Sequence, residues 1–484
     1  MSLRIILRIL GLLLMLFSLT LMPPILISLL FGDGQWDAFA IAILITVATG
    51  GLMYLPNRRA HKELRTRDGF LIAALFWSVL GLFGSLPLML TGDAALSPTD
   101  AVFESFSGLT TTGATVITGI EFLPESVLYY RQQLQWLGGM GIVVLAVAIL
   151  PTLGVGGMAL YRTEIPGPLK DSKLTPRITE TAKALWYIYA ALTLTCFAAY
   201  WAAGMDWFDA LGHSFSTVAI GGFSTHDANI GHFDSALIEL ICVAFLIISA
   251  MSFSLHFLAW RGKQLKHYLQ DPEARFLLLF LGGLTLITVV SLWLTGVYGD
   301  ETQRAMRHGL FQVVSVATTS GFGVADFSAW PGALPFLLFV AAFVGGCSGS
   351  TGGGMKVIRI ILILKQGMRE VMRLIHPNAV IAVKVGKVSV PDGIAQAVWG
   401  FFSVYLMLFF LMLVGVMATG VDQVTAWSTV ASALNNLGPA LGEASAHYGD
   451  LPVMAKWILV MAMLLGRLEI FTVLVLFTPA FWRR

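Results

Sequence analysis

Long apolar stretches make up most of the chain, and between pairs of them lie short polar segments that end in a glycine. Hydrophobic residues account for 57% of the 484 residues and charged residues for only 12%, about half the charged share of a soluble domain. An apolar run of about 20 residues is long enough to cross a bilayer as a helix. Because backbone groups in lipid must be satisfied within the protein, the sequence predicts an all-α polytopic membrane protein.

The apolar runs predict ten spanning helices. Two of them, at 9–31 and 38–55, form an N-terminal hairpin joined by a short loop. Pro23 and Pro24 are expected to kink the first of these helices. The other eight are predicted at 70–90, 128–150, 182–203, 236–260, 276–297, from 334 onward, 394–417 and 453–477.

The polar segments between the later helices share one arrangement of serine and glycine. In each, the sixth residue before the terminal glycine is a serine. The four pairs are Ser107 and Gly113, Ser216 and Gly222, Ser315 and Gly321, and Ser432 and Gly438. Such internal repetition predicts four pseudo-symmetric units of helix, polar segment and helix around a central pore. The predicted divisions are a hairpin over 1–67 and units over 68–165, 166–270, 271–388 and 389–484.

Each polar segment is too short and too polar to span a bilayer, yet it begins like a helix. Ser97-Pro98-Thr99-Asp100 is typical of a capping box with proline in the first turn, and Asp206, Asp300 and Asp422 are expected to cap the others. We expect short helices that descend to mid-membrane and a chain that returns through the glycine, which requires a cavity or surrounding protein. Each glycine alone could serve helix packing instead, but four aligned helix C-termini favour a shared cation site.

Charged residues are segregated between the connecting segments. The predicted hairpin is followed by a basic connector, and three later connectors and the C-terminus are also basic, whereas the other connectors are acidic. Basic connectors remain in the cytoplasm under the positive-inside rule. The sequence thus predicts cytoplasmic N- and C-termini, with every polar segment entering the membrane from the outer, acidic side.

The polar segments resemble those of known potassium-conducting proteins. Thr319-Ser320-Gly321-Phe322-Gly323 resembles the Thr-Val-Gly-Tyr-Gly filter of potassium channels, in which backbone carbonyls replace the water shell of the ion. The whole chain resembles the TrkH/TrkG-type subunits of the bacterial Trk/Ktr/HKT potassium transporter superfamily. The motifs that carry this resemblance are Thr110-Thr111-Thr112-Gly113-Ala114, Ala219-Ile220-Gly221-Gly222-Phe223, Thr318-Thr319-Ser320-Gly321-Phe322 and Asn435-Asn436-Leu437-Gly438-Pro439.

The resemblance implies a four-glycine filter for K+, as the transported ion. The residues that would form it are Thr111, Thr112, Gly113, Ile220, Gly221, Gly222, Thr319, Ser320, Gly321, Asn436, Leu437 and Gly438. Family members with serine at the first glycine tend to pass sodium, so Gly113 indicates potassium. The fourth segment departs most from a channel filter, through Asn435, Asn436 and Pro439, so the four-fold arrangement is expected to be approximate.

Glycines interrupt the last helix of the third unit. Residues 334–344 would rise only about 16 Å as a helix, too little to cross. The residues that follow are Gly345, Gly346, Cys347, Ser348, Gly349, Ser350, Thr351, Gly352, Gly353 and Gly354. We expect a flexible loop within the membrane that closes the pore below the filter, as the resemblance also implies; a packing kink is the alternative.

Basic residues near this gate complete the predicted site. Arg467 falls near the middle of the last predicted helix, where a charge is costly and is a functional candidate. The resemblance gives it the role of a pore-facing barrier to ions. Glu469 is a poor partner for it, because residues two apart do not share a helical face. Lys356 and Arg359 are expected to be ordinary basic residues at a cytoplasmic helix end.

The resemblance also bears on the expected partners of the chain. The resemblance implies a homodimer in the bacterial inner membrane and a cytosolic TrkA-like nucleotide-binding ring that regulates it. No nucleic-acid partner is expected. No enzymatic activity is expected either, since the sequence has no His-Glu-x-x-His motif, no nucleophile elbow and no paired aspartates within the membrane. The alternative function is a potassium symporter with obligatory proton or sodium coupling. Its mark would be acidic residues within spans, for which Glu104 and Glu469 are the candidates.

Overall fold

The structure, a computed structural model, describes residues 3–60, 66–141, 178–386, 388–468 and 470–482. The described chain is mostly helical, which confirms the predicted all-α membrane fold. Three predictions fall wholly or partly outside these residues: the helix at 128–150, the boundary between the first and second units, and the placement of Glu469.

Three helices form the N-terminal hairpin: Leu3–Leu19, Met22–Phe31 and Trp36–Tyr54. Pro23 and Pro24 fall in the first turn of the second helix, where the missing N–H has no helical partner to lose. The predicted kink is therefore a break between two helices. The outer helices cross at glycines, because a Cβ on Gly50 would lie only 2.8 Å from the carbonyl oxygen of Gly11.

Helices long and apolar enough to cross a bilayer occur at six places among the described residues. They are Leu3–Phe31, Trp36–Asn57, Asp68–Leu90, Lys183–Ala202, Pro272–Leu294 and Asp392–Met417. The third of these consists of Thr66–Gly84 and Leu86–Leu90, and the fourth belongs to Ile178–Ala202. Large apolar side chains on these helices are exposed, as at Leu44 (70%) and Leu279 (73%), which is the surface that lipid covers.

The second helix of the second and fourth units is broken. The predicted helix at 236–260 is two helices, Ala236–Ala250 and Phe253–Gly262, which meet at 94°. The predicted helix at 453–477 ends early as Val453–Arg467 and is followed by Ile470–Leu474 and Val475–Phe477. The prediction of two continuous spans here was wrong, because apolar composition does not reveal where a helix bends.

The second helix changes its helical type in the first unit and is broken in the third. Glu125–Trp136 passes into a π-helical turn at Leu137–Gly141. In the third unit, Leu334–Ala342 ends just before the glycine-rich segment, as the glycines predict, and Val357–Ile375 follows that segment. Within the described residues, the second helix is thus broken in the second, third and fourth units.

Four short helices lie where the polar segments were expected, and we call them the half-helices: Pro98–Leu109, Trp207–Ala219, Thr302–Ala317 and Gln423–Asn435. Ser97, Asp206 and Asp422 each accept a hydrogen bond from a backbone N–H in the first turn of the first, second and fourth half-helix. The predicted cap at Asp300 was wrong. The third half-helix begins after Glu301, whose side chain makes no capping bond.

The remaining elements are short. Lys384–Val385 and Val388–Ser389 pair as an antiparallel two-stranded sheet, and Lys365 in the preceding helix donates to the carbonyl of Lys384 at 2.6 Å. The other short helices are Lys266–Gln270, Pro479–Trp482 and single turns at Leu55–Asn57, Gly92–Ala94, Ile120–Phe122, Asn229–Phe233, Phe327–Ala329 and Gly442–Ala444.

Candidate ion filter and gate

A return segment with the same backbone path follows each half-helix. Its first and third residues have left-handed backbone conformations. The first residues are Thr111, Ile220, Thr319 and Asn436, with φ between 54° and 68°, and the third are Gly113, Gly222, Gly321 and Gly438, with φ between 80° and 102°. A non-glycine residue in this conformation costs about 1–2 kcal/mol. Strain of this kind persists where the surrounding structure holds it in place, which is frequent at functional sites.

The repeated serine acts through its backbone. The carbonyl oxygen of Ser107, in the last turn of the first half-helix, accepts a hydrogen bond from the N–H of Thr112 at 2.8 Å. The same bond joins Ser216 to Gly221, Ser315 to Ser320 and Ser432 to Leu437, at 2.8 to 2.9 Å. A carbonyl in the last helical turn has no partner within its helix. The bond therefore satisfies the helix end and turns the chain back in all four places.

Contacts between the four return segments form a closed ring. A Cβ added to each glycine would collide with the carbonyl oxygen of the residue that precedes the glycine of another segment. The pairs are Gly113 with Gly221, Gly222 with Ser320, Gly321 with Leu437, and Gly438 with Thr112. The first segment thus meets the second, the second the third, the third the fourth, and the fourth the first. The structure brings together all twelve residues that were predicted to form the filter.

Side chains from distant parts of the chain hold this ring. Gln135 donates from Nε2 to the carbonyl oxygen of Gly221 at 2.6 Å and accepts from the N–H of Phe223 at 3.0 Å. The hydroxyl of Tyr448 donates to the carbonyl oxygen of Gly438 at 2.7 Å. Sequence reasoning missed both side chains, because a single polar residue far from the glycines carries no spacing signal.

Two asparagines join neighbouring return segments. Asn229 donates to the carbonyl oxygen of Gly222 at 3.1 Å and accepts from the N–H of Gly323 at 3.2 Å, which links the second segment to the third. Asn436 donates to Oγ1 of Thr112 at 3.0 Å, which links the fourth segment to the first. The asparagine that makes the fourth motif unusual is therefore part of the ring's own support.

A cavity of about 700 Å³ opens on the ring, and its lining includes all four glycines. A buried ion pair supports its wall: Arg131 Nε lies 2.9 Å from Glu104 Oε1, and each side chain is at most 1% exposed. Glu104 also accepts from the N–H of Val116 at 3.0 Å. Glu104 was a candidate for proton coupling, but these bonds give it a structural role, since a buried carboxylate needs a paired cation and hydrogen bonds.

The glycine-rich segment 345–354 contacts the ends of the half-helices. The hydroxyl of Thr351 donates to the carbonyl oxygen of Val218 in the second half-helix at 3.0 Å. The N–H of Gly354 donates to the carbonyl oxygen of Asn435, the last residue of the fourth, at 3.0 Å. Both acceptors lie in the last helical turn, where carbonyls have no partner within the helix. The segment supplies the missing donors.

The same segment also touches the third return segment. The N–H of Gly353 donates to Oγ1 of Thr319 at 2.7 Å. A Cβ on Gly352 would lie 2.9 Å from the carbonyl oxygen of Thr318, closer than a side chain is normally accommodated. The glycines thus allow the backbone of the segment to lie directly against Thr318 and Thr319.

Bonds to the glycine-rich segment complete the bend in the second unit. The N–H of Cys347 donates to the carbonyl oxygen of Ala250, where the first helix ends, at 2.8 Å. The N–H of Phe253, where the next helix begins, donates to the carbonyl oxygen of Gly349 at 3.1 Å. Helix ends buried without such partners would be costly, so the bend and the segment stabilise each other.

Arg467 joins the glycine-rich segment to the first unit. Its guanidinium donates to the carbonyl oxygen of Thr351 at 3.0 Å, to that of Gly139 at 2.7 Å and also to that of Gly138. It further donates to Oγ1 of Thr111, in the first return segment, at 3.3 Å. A positive charge thus lies between the segment and the ring; its effect on ion passage stays a prediction.

Lys356 and Arg359 lie at the start of the helix that follows the glycine-rich segment, but they are buried, with 5% and 6% exposure. Nζ of Lys356 donates to the carbonyl oxygen of Gly352. The guanidinium of Arg359 lies 4.1 Å from the centre of the Phe401 ring, a favourable cation–π distance. The expectation of ordinary basic residues was wrong, because both side chains are buried and Lys356 bonds to the segment itself.

Comparison with known proteins agrees with this architecture. Residues 35–484 match the family model for TrkH, described as a cation transport protein. A protein of Halomonas elongata named Trk system potassium uptake protein TrkH is 85% identical over 484 residues, covering 100% of both chains. The Escherichia coli (strain K12) protein of the same name is 53% identical over 483 residues, again covering 100% of both.

A solved structure extends the likeness to three dimensions. The crystal structure of the potassium transporter TrkH from Vibrio parahaemolyticus matches with a TM-score of 0.91 at 53% sequence identity, covering 100% of both chains. The match includes the N-terminal hairpin as well as the helices around the ring. Because the family model spans nearly the whole chain and relatives above half identity align from end to end, the chain belongs to the TrkH family of cation transport proteins.

Proposed function

We propose that the chain takes up potassium ions across the bacterial inner membrane, through the ring of Gly113, Gly222, Gly321 and Gly438. The observation that carries this proposal is the closed succession of contacts between each glycine and the carbonyl of another segment. The names of the relatives, which are potassium uptake proteins and a potassium transporter, support potassium as the ion.

Electrostatics at the ring favours a cation. Each half-helix ends beside the ring and contributes a partial negative charge of about half an elementary charge. Side chains do not fit between each glycine and the carbonyl against it, so backbone oxygens remain the groups that replace the hydration shell. Left-handed residues at alternate positions help to turn successive carbonyls toward one side, a conformation that suits glycine.

The glycine-rich segment 345–354 serves as the gate in this proposal. Its bonds to Val218, Asn435 and Thr319 hold it against the ends of the half-helices, and Arg467 adds a positive charge beside it. A hydrogen bond contributes about 0.5–1.5 kcal/mol net, so these three together amount to a few kcal/mol. A regulatory partner can supply coupling free energy of that size.

The assembly we propose follows the relatives. Their names place them in a Trk system, and we propose the same setting for this chain: a multi-pass homodimer with both termini in the cytoplasm, regulated by a TrkA-like nucleotide-binding ring. The basic connectors predicted on the cytoplasmic side offer this regulatory partner a docking surface. Ion passage requires no chemical step, so we assign no enzymatic activity.

Ion flux into liposomes that contain the purified full-length protein tests the function. We expect a potassium gradient alone to drive current that reverses at the potassium equilibrium potential. A reversal potential that instead follows an imposed proton or sodium gradient would favour the coupled symporter. Protein-free liposomes give the background leak.

A deletion within 345–354 tests the gate separately. We expect the shortened segment to raise potassium flux, because it can no longer occupy the space against the half-helices. Unchanged flux in a variant that is still folded, as judged by its helical circular dichroism, would remove the gate assignment and leave the filter assignment intact.

A further inference from the structure

Three side chains beside the cavity converge from two loops. They are Glu121, which follows the first return segment, and His226 and His232, which follow the second. Their possible ligand atoms lie within 4.8 Å of one another. Asp227 holds the loops together, since its carboxylate accepts a hydrogen bond from the N–H of Ile120 at 3.1 Å. The fold therefore holds these three residues close together.

His226 is oriented as a metal-binding histidine would be. Its Nε2 lies 2.9 Å from Oδ2 of Asp209, and the other carboxylate oxygen, Oδ1, accepts from the hydroxyl of Thr225 at 2.5 Å. A carboxylate in this position fixes the proton on Nε2 and leaves Nδ1 with a lone pair. Nδ1 is buried without a hydrogen-bond partner, and it lies 3.8 Å from Oε1 of Glu121. A buried polar atom without a partner is costly, so this nitrogen points to a ligand.

The other two side chains can adjust to an ion. The side chain of Glu121 is 40% exposed, and His232 is also exposed. The rings of His226 and His232 are parallel, with their centres 3.6 Å apart. Because a metal ion lies in the plane of each imidazole that binds it, His232 has to rotate, and its exposure leaves it free to do so. Zinc–nitrogen bonds of about 2.0–2.1 Å are then within reach.

We propose that Glu121, His226 and His232 bind a divalent transition-metal ion of the Zn²⁺ type beside the cavity, and that the bound ion lowers potassium flux. Two imidazoles and one carboxylate favour zinc, nickel or copper, whereas calcium and magnesium prefer sites made of oxygen ligands. Two positive charges at the cavity oppose the entry of a further cation. The inhibitory half rests on the proposed function, and the binding half does not.

Isothermal titration of the purified full-length protein with zinc chloride tests binding directly. The variants are His232→Ala and Glu121→Gln, which alter exposed side chains. The matched control is His447→Ala, because His447 lines the same cavity and lies 3.8 Å from a carboxylate oxygen of Asp450. We expect one zinc per chain, with affinity about tenfold or more weaker in the two site variants and unchanged in the control. Equal affinity in the wild type and His232→Ala overturns the site, as does an equal loss in His447→Ala.

Potassium flux into liposomes tests inhibition, with each variant normalised to its own metal-free flux. We expect zinc chloride to reduce flux in the wild type and His447→Ala but not in His232→Ala, and magnesium chloride at the same concentration to have no such effect. Binding without this selective inhibition overturns the inhibitory half. Absence of metal-free potassium flux in the wild type contradicts the proposed function and the inhibitory half with it, whereas the titration result stands independently.

Discussion

Replacing Gly438 by alanine perturbs the ring at one defined contact. Gly438 has φ of 102°, and a Cβ there would lie 2.6 Å from the carbonyl oxygen of Thr112 and 3.0 Å from the carbonyl carbon of Gly113. Gly420, at the end of a spanning helix, has φ of 97°, and a Cβ there would meet nothing within 4 Å. Gly420→Ala is therefore a matched control, since it introduces the same backbone strain without touching the ring.

The two substitutions separate strain from collision. Each places alanine in a left-handed conformation, which costs about 1–2 kcal/mol, so the part of the stability loss that comes from backbone strain should be similar. Only Gly438→Ala must also move the carbonyl of Thr112, by about 0.9 Å if the contact is to reach an ordinary separation of about 3.5 Å. Bonds between a charged group and a polar one are worth about 1.5–3 kcal/mol. Weakening an ion–carbonyl contact by that amount slows passage about tenfold or more.

Thermal melting and potassium flux in liposomes together test this reasoning. We expect both variants to melt cooperatively, with Gly438→Ala lower because of the displaced carbonyl. In protein that is still folded, we expect a flux at least about tenfold lower in Gly438→Ala than in Gly420→Ala. If Gly438→Ala conducted potassium as well as Gly420→Ala, the contact between the fourth and first segments would not belong to the ion path, and the ring would be only a structural device.

Three further substitutions test the filter, the gate and the hairpin. Gly113→Ser should admit sodium, because the new Cβ displaces the carbonyl of Gly221; an unchanged potassium-to-sodium permeability ratio would contradict this. Arg467→Gln should raise potassium flux severalfold by removing a positive charge beside the gate, and equal or lower flux in a stable variant would remove the barrier role. Partial burial raises the pKa of Asp33, but hydrogen bonds from Ser28, from the N–H of Ser126 and from the N–H of Gln35 outweigh it and lower the pKa. The contribution of Asp33 to stability is therefore present at neutral pH and lost as the pH falls through the lowered pKa. Asp33→Asn should destabilise the protein by about 1 kcal/mol at neutral pH and reduce this acid dependence. Melting at several pH values measures both effects.

Sequence spacing predicted the four glycines of the ring because their backbone conformation leaves little choice of residue. At Gly113, Gly222, Gly321 and Gly438 a left-handed φ coincides with a carbonyl where the Cβ would lie, so the requirement is visible as an aligned residue type. The repeated serine was also visible as an aligned residue type. Its role was not, because the bond that recurs in all four units is made by the serine carbonyl, which every residue has.

Features that depend on distant contacts could not be predicted from spacing. Thr111 and Ile220 adopt left-handed conformations that their residue types disfavour, and only the assembled ring accounts for them. Gln135 and Tyr448 hold the ring from other parts of the chain. The bend after Ala250 has no proline or glycine to mark it, and its cause is a partner almost a hundred residues further along the chain.

That bend makes the proposed gate part of the scaffold as well as an obstacle. The carbonyl of Ala250 and the N–H of Phe253 are satisfied by the glycine-rich segment, so displacing the segment leaves two helix ends without partners unless the bend changes as well. The N–H of Ser348 in the same segment donates to a carboxylate oxygen of Glu273 at 2.8 Å, at the start of the spanning helix Pro272–Leu294. Because buried helix ends need partners, movement of the segment and rearrangement of these helices have to occur together. The predicted cytoplasmic connector joins Phe253–Gly262 to Pro272–Leu294. A signal that acts on this connector therefore has a direct physical route to the glycine-rich segment.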